Sequence, residues 1–253
     1  MSDLNDLVST AHDWLRLDEL PDYPQALNGL QLANSGRVKQ IVAAVDASLP
    51  VIGRACETGA DLLVVHHGLF WQGAQCITGP LYRKLKLAFD HDLAIYSAHI
   101  PLDVHPTLGN NACLLAALDL GVSGVPFFPW KGIELGLRVS VEMECEELLA
   151  KVAAATGTKP HVCPGGPSRV RELGIITGGA GSEIQAVAAA GIDTFLTGEG
   201  PHWSYPMAEE LGVNVIYAGH YATETFGVKA LAQRWCEEFT GVSWSFLDHP
   251  TGL

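Results

Sequence analysis

Asp61-Leu62-Leu63-Val64-Val65-His66-His67-Gly68 is a short apolar run that closes on two adjacent histidines and a glycine. Bounded by Gly59 and Gly68, residues 61–65 read as a fully buried strand of an α/β sheet. Successive strand side chains point to opposite faces, so a regular strand could not aim both imidazoles at one point. Where the strand gives way to the glycine, that alternation breaks. Both rings can then reach one site, or each can hold one of two neighbouring metal ions. In open α/β sheets ligands collect beyond the carboxyl ends of the strands, where the loops leave the packed core.

The surrounding pattern supports such a sheet. Residues 38–45 read as a strand and 50–58 as a helix, which makes a βαβ unit with the histidine strand and orders the two strands parallel. Upstream, Leu4, Leu7, Val8, Ala11, Trp14 and Leu15 follow helical spacing, and a polar, proline-containing loop leads to Asn28-Gly29-Leu30-Gln31. Downstream come a helix over 81–90, a strand over 93–97 and a helix over 110–120, with Asn110 or Asn111 as its cap. Val125-Pro126-Phe127-Phe128-Pro129-Trp130 reads as a connector, and a boundary is expected near residue 128. Residues 1–128 then form a first α/β half, with the C-terminal helix and strand packing back on it, and 129–253 a second half. Its strands are expected at 132–141, 173–177, 192–197, 213–218 and 242–247, and its helices at 145–156, 182–190 and 221–238, with a turn-rich loop over 157–168.

The two halves look alike. Val38 through Gly68 can be laid on Val170 through Gly200 without a gap, pairing Ile52 with Ile184 and Asp61 with Asp193. Ile95-Tyr96-Ser97-Ala98-His99 matches Ile216-Tyr217-Ala218-Gly219-His220, and a carboxylate stands four residues beyond each histidine, Asp103 and Glu224. The expectation is two similar, interlocked three-layer α/β/α domains from an internal duplication. If an approximate two-fold axis relates them, polar groups at matching strand ends converge on a shared cleft.

Composition narrows the function. The chain has 253 residues, 48% hydrophobic and 17% charged, enough for a large core. A net charge of −13 with only 15 basic residues argues against nucleic acid as a bulk partner. The opening residues lack the apolar stretch of a secretory signal, and no apolar run is long enough to cross a bilayer, so no membrane role is expected. Six scattered cysteines without a Cys-x-x-Cys pair argue against a disulfide framework or a thiolate zinc site and fit a reducing cytoplasm.

His220 and Glu224 share one face if their stretch is helical, since i and i+4 are neighbours. His99 and Asp103 have the same spacing, with Pro101 favouring a turn or a helix start between them. His66, His67, Asp103, His220 and Glu224 together offer nitrogen and carboxylate donors that suit zinc, iron, manganese or cobalt. Five ligands exceed the need of one open catalytic ion but suit two divalent ions about 3.5–4 Å apart that activate water between them.

Asn28-Gly29-Leu30-Gln31, Val65-His66-His67-Gly68, His99-Ile100-Pro101-Leu102-Asp103, Thr197-Gly198-Glu199 and Gly219-His220-Tyr221-Ala222-Thr223-Glu224 resemble, in order and over essentially the whole chain, the Nif-three-like family. That family is catalogued as the GTP cyclohydrolase 1 type 2 homologues. The resemblance implies interlocked α/β domains, a dinuclear metal centre and a ring-shaped homohexamer. It implies metal ligation by His66, His67, Asp103, His220 and Glu224, with Glu224 bridging. His99 is assigned a catalytic role in proton transfer or as a neighbour of the ligands. Some relatives carry an inserted domain, for which residues 130–170 leave no room here.

Other residues receive plainer readings. Glu199 and His202 either line the cleft or serve their loop. Phe70-Trp71 and Trp130 are read as core or subunit contacts, and His105, followed by Pro106, as part of a turn. The functional expectation is a metal-dependent hydrolase acting on an unidentified small molecule, nucleotide-like or a phosphoester. The alternatives are a non-catalytic metal-binding regulatory ring and a scaffold whose metals clamp the halves.

Overall fold

In the computed structural model, which describes residues 2–71, 73 and 75–253, the chain divides into two α/β units. One contains the residues up to Leu102 together with Gly227–His249, the other Asp103–Phe226 together with Pro250–Leu253. The first runs β1 (Ser2–Asp3), α1 (Leu4–Leu15), β2 (Gly29–Leu32), β3 (Arg37–Val38), β4 (Gln40–Asp46), α2 (Leu49–Glu57), β5 (Leu62–His67), α3 (Gly79–Asp90) and β6 (Ala94–Ser97). The recurrence of Leu4, Leu7, Ala11 and Leu15 gives α1 one buried face, and the Asp3 carboxylate caps it by accepting from the Asn5 N–H. Ser48 caps α2 in the same way, accepting from Val51 N–H, with Pro50 in the first turn where its missing donor costs nothing.

Helix α4 (Ile100–Asp103) carries the chain across, Leu102 belonging to the first unit and Asp103 to the second. The second unit runs α5 (Asn110–Ala117), β7 (Val125–Trp130), β8 (Ile133–Glu144), α6 (Cys145–Thr156), β9 (His161–Pro164), β10 (Arg169–Ile175), a 3-10 turn at Ala180–Glu183, α7 (Ile184–Ala189), β11 (Thr194–Thr197), α8 (Ser204–Leu211), β12 (Asn214–Tyr217) and α9 (His220–Thr223). Helix α10 (Thr225–Glu238) returns to the first unit at Gly227, and β13 (Ser243–Phe246) joins that unit's sheet.

The first sheet has the order β13-β4-β5-β6-β2, parallel except for β2, and the second β7-β8-β10-β11-β12-β9, parallel only over β10, β11 and β12. Both contain a β-α-β-α-β run of adjacent parallel strands, so three strand ends open at one edge of each sheet. In the first, Val42, Leu63, Val65 and Ile95 pack on α2 and α3. On the opposite face the Tyr96 ring meets Trp235 of α10 edge-on at 5.4 Å, and the Trp235 indole N–H donates to the Leu7 carbonyl at 3.0 Å. In the second, Leu173, Leu196 and Ile216 pack on α5 and α6, while Phe195 and Val215 pack on α7 and α8.

Several elements differ from the sequence reading. The expected connector at 125–130 is the edge strand β7, where Pro126 and Pro129 are tolerated because an edge needs fewer ladder donors. The compact units part at Leu102/Asp103, with Gly227–His249 in the first unit; the sequence reading sets its boundary near residue 128 and returns the C-terminal helix and strand to the first half. Strand β2 emerges from the expected N-terminal loop and β9 from the loop at 157–168, both at sheet edges. The single helix expected at 221–238 is interrupted at Glu224.

Candidate metal centre

In the first unit, β4, β5 and β6 bring their carboxyl ends side by side. The strand extends through both histidines, yet their ring centroids lie only 4.9 Å apart. The parallel register sets Asp46 of β4 beside His67 of β5, and Asp46 Oδ1 accepts from His67 Nδ1 at 2.9 Å. His66 Nδ1 donates to the Ala98 carbonyl at 2.8 Å, just past the end of β6. His99, one residue further, donates from Nδ1 to Asp22 Oδ1 at 2.9 Å. One ring nitrogen from each of His66, His67 and His99 lies within 4.8 Å of the others. With Nδ1 occupied in all three, the tautomer leaves Nε2 as the atom each ring presents.

The loop before β2 fixes this arrangement. Asn28 Oδ1 accepts from the His99 backbone N–H at 2.7 Å, and its Nδ2 donates to Asp22 at 2.8 Å. Asp22 also accepts from the Ile100 N–H at 3.0 Å. Burial works to raise the Asp22 pKa, but the donated bonds from His99, Asn28 and Tyr23 together hold it below the ordinary carboxylate value. Gln31 Oε1 accepts from the Leu69 N–H at 2.6 Å, and a Cβ on Gly68 would lie 2.3 Å from the same side chain. Thus Asn28 and Gln31 each brace one histidine-bearing turn. The Trp71 ring meets His99 edge-on at 4.7 Å.

In the second unit, Asp103 is buried, and its Oδ1 accepts from Asn110 Nδ2 at 2.7 Å. Asn111 Nδ2 donates to the Asp103 and Leu135 carbonyls, while its Oδ1 accepts from the Thr177 N–H at 2.9 Å. The next residue, Gly178, has φ +73°, and a Cβ there would lie 2.3 Å from Glu224 Oε1. The Thr177-Gly178 dipeptide beyond β10 therefore joins the surroundings of Asp103 to those of Glu224. His220 Nε2 lies 3.1 Å from Glu224 Oε2, and His220 Nδ1 lies 2.8 Å from Glu199 Oε1. Burial works to lower the His220 pKa, yet the carboxylates of Glu224 and Glu199 push it up to about 9.

The predicted residues thus fall into two sets. His66 and His67 are gathered with His99, whose ring is oriented as theirs are. His220 and Glu224 are in direct contact, and Asp103 is linked to Glu224 through Thr177 and Gly178. Asn110 and Asn111 are not caps: Gly109 occupies the cap position of α5, and both buried amides hold Asp103. Glu199 orients His220, while the His202 side chain is exposed. Sequence reasoning missed Asp22, Asp46 and Thr177. Asp46 carried a signal, because it ends the strand beside the one ending in His67; Asp22 carried none.

Imidazoles oriented by carboxylates, with further carboxylates as donors and no thiolate in either cluster, fit zinc, iron, manganese or cobalt. The proton shared by His220 and Glu224 is one that a divalent cation would replace.

A model of the family Duf34/NIF3 (NGG1p interacting factor 3) matches residues 2–251. A protein of Deinococcus radiodurans named "GTP cyclohydrolase 1 type 2 homolog" is 43% identical, covering 98% of this chain and 94% of its own length. A solved structure described as protein ybgI, of unknown function, superposes with a TM-score of 0.90 at 34% identity, covering 99% of this chain and 100% of the other. The crystal structure of TTHA1606 from Thermus thermophilus gives a TM-score of 0.87 at 38% identity, with 99% and 100% covered.

Proposed function

The chain belongs to the DUF34/NIF3 family, and from that premise we propose that it is a dinuclear metal-binding protein that works as a metal-dependent hydrolase. The observation that carries the reading is the common anchoring of His66, His67, His99 and His220 through Nδ1, in three cases by a carboxylate. Carboxylate–imidazole pairs of this kind hold a ring as a metal ligand and raise its basicity. His66, His67, Asp103, His220 and Glu224 would hold two divalent ions, zinc, iron, manganese or cobalt, with Glu224 shared between them.

Bound there, the ions would lower the pKa of water and offset negative charge developing on the substrate. The chain's own residues orient and move protons. Asp46 and Glu199 keep His67 and His220 in the ligating tautomer. His99, bonded through Nδ1 to Asp22, offers Nε2 as the atom that takes up and returns a proton, and Asp22 offsets the charge that forms on its ring. The substrate class implied by the relatives' name and by two ions is a nucleotide-like molecule or a phosphoester. A cytoplasmic homohexameric ring belongs to the same reading. Among the described residues no helix is long and apolar enough to cross a membrane, and the six cysteines are free.

Purified, metal-loaded protein assayed against nucleotide and phosphoester panels tests the reading. Turnover abolished by His67→Ala and by Glu224→Gln is expected. Tight metal uptake with every hydrolytic assay flat would leave a non-catalytic regulatory ring instead.

A further inference from the structure

Asp103 also forms part of the wall of a cavity of about 770 Å3 lined by second-unit residues only, from α4, α5, β7 and β8 and the turns beside them. That volume lies within the roughly 300–1,000 Å3 usual for small-molecule sites. Its apolar surface comes from side chains such as Leu115, Leu135 and Leu137. Its ionisable lining is one-sided. Asp119 and Glu134 are exposed acidic residues, Asp103 is buried with its Oδ1 bonded to Asn110, and no lysine or arginine stands among the lining residues. His105 adds a fixed donor. Its Nδ1 accepts from the Thr107 and Leu108 backbone N–H groups at 3.2 and 2.9 Å, so the ring proton resides on Nε2, which has no hydrogen-bond partner among the described residues.

We propose that this cavity seats the organic part of the substrate, a flat and largely apolar group, neutral or cationic, that carries hydrogen-bond donors and one acceptor. The Asp119 and Glu134 carboxylates take the donors, the His105 Nε2–H meets the acceptor, and the leucines cover the ring faces. An anionic group is disfavoured, because it would leave water for apolar walls beside the Asp119 and Glu134 carboxylates, and the lining residues include no lysine or arginine. A phosphate or carboxylate on the substrate therefore lies outside this cavity. The cavity's link to chemistry rests on the metal-binding reading of Asp103; its ligand preference does not.

Three probes that share one ring separate these points: 2-aminobenzimidazole, benzimidazole and benzimidazole-2-carboxylate, titrated into the full-length protein and followed by amide chemical shifts, with metal content measured by elemental analysis on the same samples. The amino compound is expected to shift the amides of residues 103–137 and to bind at least about tenfold more tightly than the carboxylate, one decade of affinity. Ala116→Trp, on an exposed helical position of the lining, should abolish this binding. Glu134→Lys, also exposed, should narrow or invert the preference. His105→Ala should weaken the amino compound by roughly two- to tenfold, the worth of one hydrogen bond. Glu224→Gln should lose metal yet keep the probe. Equal binding of all three probes, preference for the carboxylate, or shifts confined to other residues overturns the cavity proposal, whatever the metal content. Probe binding as expected in a protein that takes up no metal upholds the cavity and overturns the metal-centre reading instead.

Discussion

Asp22 accepts hydrogen bonds from the His99 ring, the Asn28 amide and the Ile100 N–H, and its side chain is only 8% exposed. Removing it strands several donors in a nearly dry place. Asp22→Ala should therefore cost about 2–4 kcal/mol of stability, readable as a lower urea midpoint at unchanged slope. A loss under about 0.5 kcal/mol, the range of an ordinary surface change, would mean that the carboxylate braces nothing. His220 gives a second residue-scale expectation, for the metal-free protein. Its pKa rises from the ordinary 6.5 to about 9 on folding, so its contact with Glu224 and Glu199 stabilises fully below the lower value and fades as pH climbs through the upper one. The melting temperature of metal-free protein should fall from about pH 7 to about pH 9.5, and His220→Gln should flatten that slope. A wild-type melting temperature that rises over the interval contradicts the assignment.

At the scale of elements, the site is a set of strand ends and the turns that follow them. Gly178 stands just past β10 with φ +73°, and a methyl there would meet the Glu224 carboxylate at 2.3 Å. Gly178→Ala should displace Glu224 and lower bound metal, at a further cost of about 1–3 kcal/mol for the strained backbone. Unchanged metal content with unchanged stability would remove Gly178 from the site's design. The strand ends were legible because a buried parallel strand reads as a continuous apolar run, and 61–65 is one. The edge strands β2, β7 and β9 were not, since they mix proline, glycine and polar residues that serve equally well in loops. The same limit acts inside the site. His66, His67, Asp103, His220 and Glu224 are chemically conspicuous and spaced in recognisable motifs. The residues that orient them are common types whose role exists only through folding: Asp22 meets His99 across 77 positions, and Thr177 meets Asn111 across 66.

At the scale of the molecule, both units order a parallel β-α-β-α-β run in the same way, and each delivers imidazole and carboxylate from strand ends. If both bind the same ions, metal links the stability of one unit to that of the other. Stripping the ions with chelator should then lower the melting temperature, through a loss of as much as about 4 kcal/mol of stability per ion where free metal stood a thousandfold above its dissociation constant. Restoring zinc, iron, manganese or cobalt should recover it, and a melting curve indifferent to metal contradicts linkage. The most direct measurement is an anomalous-scattering map from crystals of metal-loaded protein. Two peaks per chain are expected, within bonding distance of His66, His67, Asp103, His220 and Glu224. A map with no peak at these side chains, or with peaks that none of them reaches, would contradict the dinuclear centre outright.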